Sequence, residues 1–188
     1  MNPLEQLHQD RSAARDAQDP YANLCAFATV DTNGEPQVRT LVLRDVEQRL
    51  AVFVNETSPK WQQQVDRPMV LVFLATLNVQ YRLRCTTETV PDQIVNDSWG
   101  LRPEAPKRMD WFYFERPQSS AIASRERLLE ELAALTPPEP LVAPQSAKGL
   151  FLVPEQIERL DLNQPDGVHD RRRWVYTDSE WIETVLVP

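Results

Sequence analysis

Glycine is scarce in this sequence, and the scarcity excludes whole function classes. Only Gly34, Gly100, Gly149 and Gly167 occur in 188 residues. No two stand close enough for a GxGxxG fingerprint or a phosphate-cradling P-loop, so Rossmann-type nucleotide binding and P-loop NTPase activity are set aside. Cysteine is limited to Cys25 and Cys85, too few and too far apart for a disulfide framework or a zinc site. Two free, buried thiols and no metal are expected. Histidine is limited to His8 and His169, and no GxSxG elbow exists, which argues against nucleophilic hydrolysis. No apolar run approaches the roughly 20 residues that span a bilayer, and the opening MNPLEQLHQD has neither the basic nor the apolar region of a signal peptide. A cytoplasmic protein that contacts no membrane is the expectation. Positive charge is in deficit as well: 20 Lys and Arg face 28 Asp and Glu, a net −8. A general nucleic-acid binder needs the opposite field. A small anionic ligand stays compatible, because a few arginines can make a positive pocket on an acidic protein.

What the chain does have is strand composition in short, closely spaced runs. LCAFATVD (24–31), QVRTLVLRD (37–45), RLAVFVN (49–55), MVLVFLAT (69–76) and VQYRLRCTTETV (79–90) are apolar or alternate with period two. Asn33-Gly34, between the first two, is a strong hairpin signal. Strands in quick succession with short turns predict an antiparallel sheet closing into a barrel, not βαβ units. Three further strands are expected at KGLFLVP, IERLDL and RRWVYT, before a terminal WIETVLVP. Helices punctuate the pattern. Leu4, Leu7 and Ala14 lie near helical spacing within residues 1–20. SPKWQQQV has Ser58 as N-cap and Pro59 at the first helical position. PDQIVNDSW is a second short helix. SSAIASRERLLEELAAL places Ile122, Leu128, Leu129, Leu132 and Leu135 on one apolar face. Residues 137–147 form a proline-rich connection, and the stretch beyond it is too short to fold alone. Residues 1–188 are therefore read as one α+β domain, mainly β with flanking helices.

The run VRTLVLRD (38–45) carries the chemistry. It has strand composition, yet Arg39 and Arg44 bracket it, and a guanidinium that cannot lose its charge needs an anion when buried. In an ideal strand Arg39 shares a face with Leu41 and Leu43, and Arg44 shares one with Thr40 and Val42. Either arginine could instead sit at a strand end and reach water or Asp45. Three more clusters bear on the choice. In VNETSPKW, free backbone N–H groups at a helix start and Lys60 in the first turn make an anion site, or else a capped surface helix. Gln80, in NVQYRLR, either reads a polar heterocycle or faces solvent. His169, Asp170 and Arg171, in GVHDRRRW, either enter a site or form an exposed charged turn.

The order of these pieces resembles the pyridoxamine 5′-phosphate oxidase family, in its divergent, oxidase-related FMN-binding branch. The resemblance runs from about Ala26 to Pro188 through ATVDTNGEPQVRTLVLRD, FVNETSPK, VQYRLR, HDR, Trp181 and a terminal Leu-Val-Pro. It implies an antiparallel split β-barrel and a homodimer with FMN at the interface. It also implies roles for residues. Arg39 and Lys60 would grip the FMN phosphate. The backbone of Thr40, Leu41, Val42 and Leu43 would run along the isoalloxazine ring, with Arg44 at its end. Val54 and Ser58 would stand at the phosphate and ribityl chain, Gln80 at the ring, and Gln118 and Ser119 would reach FMN from the partner subunit. Arg171 would be a further cofactor contact. Arg44, Arg102 and His169 would line the substrate side, with no catalytic residue singled out.

The match has gaps. Pro59-Lys60 replaces an Arg-Lys pair, Phe53-Val54 a Tyr-Thr pair, and Leu160 a tryptophan beside the flavin. Ser98 and Pro106 replace a tyrosine and a serine that hold the substrate phosphate, and Gly167 replaces a substrate arginine. The expectation is therefore an FMN-binding flavoprotein that oxidises or reduces an unidentified small, anionic or planar polar molecule. A non-catalytic flavin carrier or sensor, and a split-barrel scaffold that has lost FMN, remain open. Authentic pyridoxamine 5′-phosphate oxidation is disfavoured by the missing substrate contacts.

Overall fold

The computed structural model describes residues 2–63 and 66–188. The first hairpin forms as its turn signal requires. Strand β1 (Leu24–Val30) pairs antiparallel with β2 (Pro36–Val42), placing Phe27 opposite Arg39 and Ala26 opposite Thr40. At the tip Gly34 takes φ +85°, a left-handed conformation that glycine adopts without a Cβ clash. The Asp31 carboxylate accepts the Asn33 and Glu35 backbone N–H groups at 2.9 and 3.0 Å, so the turn satisfies its own donors.

A short β3 (Arg44–Val46) follows and pairs with β4 (Arg49–Asn55); β5 (Met69–Leu74) pairs with both β1 and β6 (Val79–Thr89). The sheet is joined by β7 (Ala147–Asp161), β8 (Asp170–Thr177) and β9 (Glu180–Leu186). All described pairings are antiparallel, in the order β2-β1-β5-β6-β7-β4-β3, with β8 added to β7 and β9 to β8. The protein is a mostly antiparallel sheet curled into a split barrel with flanking helices, as expected. KGLFLVP and IERLDL, read as separate strands because Pro154 interrupts them, are one strand. Pro154 sits beside a register shift opposite Arg84 and Cys85, where a missing N–H costs little. With β6 along one edge of β7, the other edge serves two partners: residues 147–152 pair with β4 and residues 156–161 with β8.

Inside the barrel Phe27, Leu43, Leu50, Val72, Tyr81 and Ile157 are buried. Cys25 and Cys85 are buried free thiols, whose burial raises both, to about 11 and about 12. Helix α1 (Pro3–Asp16) closes one side through Leu7 and Ala14. A smaller apolar cluster lies where α3 (Asp92–Gly100) packs Val95 over Ala51, Val90 and Phe151. Gly149 makes that contact possible, since a Cβ there would stand 2.8 Å from Val90 Cβ. Gly149→Ala should cost about 1–3 kcal/mol by overpacking, read as a lowered urea midpoint with unchanged m.

The helices differ from expectation in two places. A further helix, α4 (Glu104–Phe112), forms beyond the four stretches with helical signals, and α5 (Arg125–Ala134) is shorter than its apolar pattern. Ser124 caps α5 by accepting the Arg127 N–H at 3.2 Å, which leaves Ile122 outside it. No residue of α5 is fully buried. Residues 135–146 carry no helix or strand. Among the described residues no helix is long and apolar enough to cross a membrane.

Candidate functional site

The β1–β2 register decides where the arginines of VRTLVLRD point. Arg39 faces inward with Leu41, while Val38, Thr40 and Val42 form the exposed outer face of β2. The strand ends at Val42, and Leu43 turns into the core, its N–H bonded to Asn23 O at 2.9 Å. Arg44 then begins β3, half-buried, with its guanidinium 5.9 Å from the Phe53 ring.

Arg39 is held by neutral acceptors. It donates to Thr29 Oγ1 and Gln63 Oε1, both at 2.6 Å, and to Phe27 O at 3.3 Å. Lys60 donates to Ser58 Oγ at 2.6 Å and Gln118 Oε1 at 3.0 Å. Among the described residues, neither cation has a carboxylate partner. Burial, and then the like charge of Arg39, pull the Lys60 ammonium down to about 8; burial also lowers Arg39. Two half-buried cations that destabilise each other form a site whose electrostatics an anion would relieve.

The helix-terminus argument for that anion does not hold. Helix α2 (Pro59–Gln62) has four residues, and Ser58 makes no side-chain cap; its hydroxyl accepts from Lys60 instead. One turn sums too few peptide dipoles to matter. The expected helix continued through 64–65, which lie outside the described residues.

Along the strand that continues from Arg39 opens a cavity of about 260 Å³ lined by Thr40, Leu41, Val42, Arg44, Phe53, Val54, Val95, Ser98, Trp99, Arg102, Ala147 and Lys148, a lining that includes neither Arg39 nor Lys60. Thr40, Leu41 and Val42 of the expected ring-side backbone thus meet Arg44, Val54 and Arg102 at one place, while Leu43 is in the core. Arg102 is paired with Asp110, which is buried and also accepts the Trp99 Nε1–H at 2.8 Å. Burial raises the Asp110 carboxyl, against the charge of Arg102 and hydrogen bonds from Trp99 and Asn55.

Other expected site residues lie elsewhere in the single chain. Gln80, Leu160 and Arg171 stand in one row across β6, β7 and β8, away from the cavity lining. Arg171 is bound to Glu158 Oε1 at 2.8 and 3.0 Å. His169 is exposed in the turn before β8. Gln118, expected to reach across from a partner, contacts Lys60 of its own chain; Ser119 follows it at φ +71°. Sequence reasoning missed Thr29, Gln63 and Asp110. Thr29 was legible, since the Asn33-Gly34 hairpin places it diagonally across from Arg39. Gln63 and Asp110 needed the tertiary fold.

No protein-family model matches the chain. Among curated proteins, a pyridoxine/pyridoxamine 5′-phosphate oxidase of Pseudomonas fluorescens (strain Pf-5) is 33% identical over 197 residues, covering 99% of this chain and 88% of the relative. The enzyme of that name from Mannheimia succiniciproducens is 29% identical over 192 residues, covering 100% of this chain and 89% of the relative. This chain belongs to the pyridoxine/pyridoxamine 5′-phosphate oxidase family. The fold agrees with solved structures. PhzG from Burkholderia lata 383, in complex with tetrahydrophenazine-1-carboxylic acid, superposes with a TM-score of 0.82 at 20% identity, covering 99% of this chain and 92% of that one. A pyridoxamine 5′-phosphate oxidase-related, FMN-binding protein from Nostoc punctiforme PCC 73102 gives 0.80 at 20% identity, covering 100% and 99%. Arg39 and Lys60 both lie in the block 26–60 with which the resemblance begins, whereas half of the cavity lining comes from residues 95–148.

Proposed function

We propose that this protein binds FMN between two copies of itself and acts as an FMN-dependent oxidoreductase on a small, anionic or planar polar molecule. The observation that carries the reading is the Arg39–Lys60 pair, two half-buried cations with only neutral acceptors among the described residues. A phosphate monoester suits them: a guanidinium fork and a point charge together match its oxygens. The strand from Thr40 to Val42 and the Phe53 and Trp99 side chains give the adjoining cavity the apolar, aromatic lining that a tricyclic ring needs. FMN, when bound, supplies two-electron redox chemistry; the protein contributes binding, orientation and exclusion of water.

The dimer is supported by the outer face of the sheet. Val38, Val42 and Phe73 are exposed there, beside the row that holds Gln80 and Arg171. An exposed apolar face of this kind is a self-association surface when a second copy covers it. In the dimer, Gln80, Arg171 and His169 belong to the lining contributed across the interface.

The test is the visible spectrum of the purified protein after mixing with FMN and gel filtration, repeated across pH. A retained flavin spectrum supports the proposal, and a colourless protein at neutral pH sinks it. Lys60 sets the pH profile. In the ligand-free protein it is protonated below about 8, and above that value the site loses a cation where an ordinary lysine would not. Retention should be level from pH 6.5 to 7.5 and fall as pH rises through about 8, with proton uptake on FMN binding near pH 8 in calorimetry.

A further inference from the structure

Lysine occurs only at positions 60, 107 and 148, and the three sit in different company. Lys107 Nζ donates to Gly100 O at 2.7 Å and lies over the Trp99 ring. Lys148 Nζ is 3.9 Å from Glu56 Oε2. Lys60 faces neutral acceptors, Ser58 Oγ at 2.6 Å and Gln118 Oε1 at 3.0 Å, and the charge that acts on it is the like charge of Arg39. Gln63 joins the two cations: its side-chain oxygen accepts from Arg39 at 2.6 Å, and its N–H bonds Lys60 O at 3.3 Å. We propose that Lys60 is a covalent capture site: its amine forms a reversible imine with a small aldehyde that carries a phosphate, while Arg39 holds the phosphate. The inference goes beyond the flavin reading, because it gives Lys60 a chemistry of its own; the adduct and FMN would compete for one anion site.

An amine attacks a carbonyl only when it is unprotonated. Burial, and then the neighbouring guanidinium, bring Lys60 from an ordinary 10.5 to about 8. At pH 7.5 about a quarter of such an amine is free, against roughly one part in a thousand of an ordinary lysine. The lone pair on Nζ bonds to the aldehyde carbon, and the adduct loses the former carbonyl oxygen as water. A C=N bond replaces the C=O bond, with no net oxidation or reduction. Ser58 Oγ, buried against Nζ, is placed to pass the amine proton to the departing hydroxyl. Arg39 supplies the selectivity. Its present acceptors, Thr29 Oγ1 and Gln63 Oε1, are uncharged, and a phosphate is a stronger acceptor than either. A phosphate held there keeps the carbonyl close to Nζ. The aldehyde must be small, since the two cations are near enough for their charges to act on each other.

The experiment reads each lysine separately. The full-length, FMN-free protein is exposed briefly at pH 7.5 to glycolaldehyde phosphate or to glycolaldehyde, which share a carbonyl and differ in the phosphate. Borohydride then delivers hydride to the C=N bond, and the stable secondary amines are mapped by peptide mass spectrometry. With the phosphate, Lys60 should carry about tenfold or more the label of Lys107 or Lys148, in line with its larger free-amine fraction. With glycolaldehyde that excess should shrink several-fold. In Arg39→Gln, checked by a thermal melt, the two aldehydes should label Lys60 alike; comparing them within one variant cancels any change in the basicity of the amine. Equal labelling of the three lysines, an unlabelled Lys60, or the same Lys60 excess with both aldehydes overturns the proposal. So does a phosphate preference that persists in folded Arg39→Gln. Repeating the labelling with FMN present separates the two readings. Protection of Lys60 supports both. Label that FMN does not reduce counts against the flavin reading and leaves the imine standing, whereas retained FMN with an unlabelled Lys60 in the FMN-free protein does the reverse.

Discussion

Arg39→Ala protein should emerge from gel filtration colourless after mixing with FMN, under conditions in which the wild type stays yellow. Arg39 offers its guanidinium to any anion at the site alongside Lys60, and its present partners, Thr29, Gln63 and Phe27 O, are all neutral. Loss of one or two charge-assisted hydrogen bonds, at about 1.5–3 kcal/mol each, corresponds to a drop of roughly 10- to 10⁴-fold in affinity. The truncation also removes a donor from Gln63 Oε1 and Thr29 Oγ1, so a thermal melt must accompany the spectrum. Arg39→Lys is the discriminating companion. It keeps the charge but cannot reproduce the fork, so it should retain FMN weakly while melting close to wild type. If Arg39→Ala holds FMN as tightly as wild type, the phosphate assignment is wrong.

Arg11→Ala should destabilise the protein more than any substitution at the cavity, by about 3–5 kcal/mol, the range for breaking a buried ion pair. Arg11 has no exposed surface. Its three nitrogens donate to Ala22 O at 3.2 Å, Leu43 O at 2.8 Å and Asp45 Oδ1 at 2.5 Å. It therefore ties α1 to the segment just before β1 and to both ends of the Leu43–Asp45 corner. Burial alone would raise the Asp45 carboxyl, but the hydrogen bond from His8 and the charge of Arg11 outweigh it and bring it to about 2. A carboxyl lowered on folding contributes stability above its unfolded value of 3.8, and loses it as pH falls toward 2. Chemical denaturation at pH 7 and pH 3 measures both effects. The Arg11→Ala deficit should be smaller at pH 3, where part of the Asp45 contribution has already gone. An equal deficit at both pH values would show that Arg11 acts through the two carbonyls and not through Asp45.

The same arginine explains why Arg44 is free of its sequence neighbour. Asp45 comes directly after Arg44 and is the natural candidate to neutralise it. In the fold Asp45 is taken by Arg11, Arg15 and His8, all from α1, so Arg44 is left for the cavity. Nothing in residues 38–45 reports that competition, because the competing cations lie some thirty residues earlier and meet Asp45 only after α1 docks.

Local signals did decide a great deal. Period-two alternation located the β1, β2, β4, β5 and β6 strands, and Asn33-Gly34 set the first hairpin and with it the cross-strand register. That register alone puts Arg39 on the inner face, next to Thr29 and apart from Thr40 and Val42. The order of short motifs was enough to imply the family and the split barrel, and the resemblance singled out Arg39 and Lys60, which the fold brings within electrostatic reach of each other. What the sequence could not decide were the pairings between distant segments. Whether Arg102 is paired depends on Asp110 in the next helix, and whether Lys60 is a strong base depends on its burial beside Arg39. The partner switch of β7 at Pro154 depends on which strands lie on either side of it. Charge state, ion pairing and sheet closure are properties of neighbours in space, and they exist only once the chain has folded.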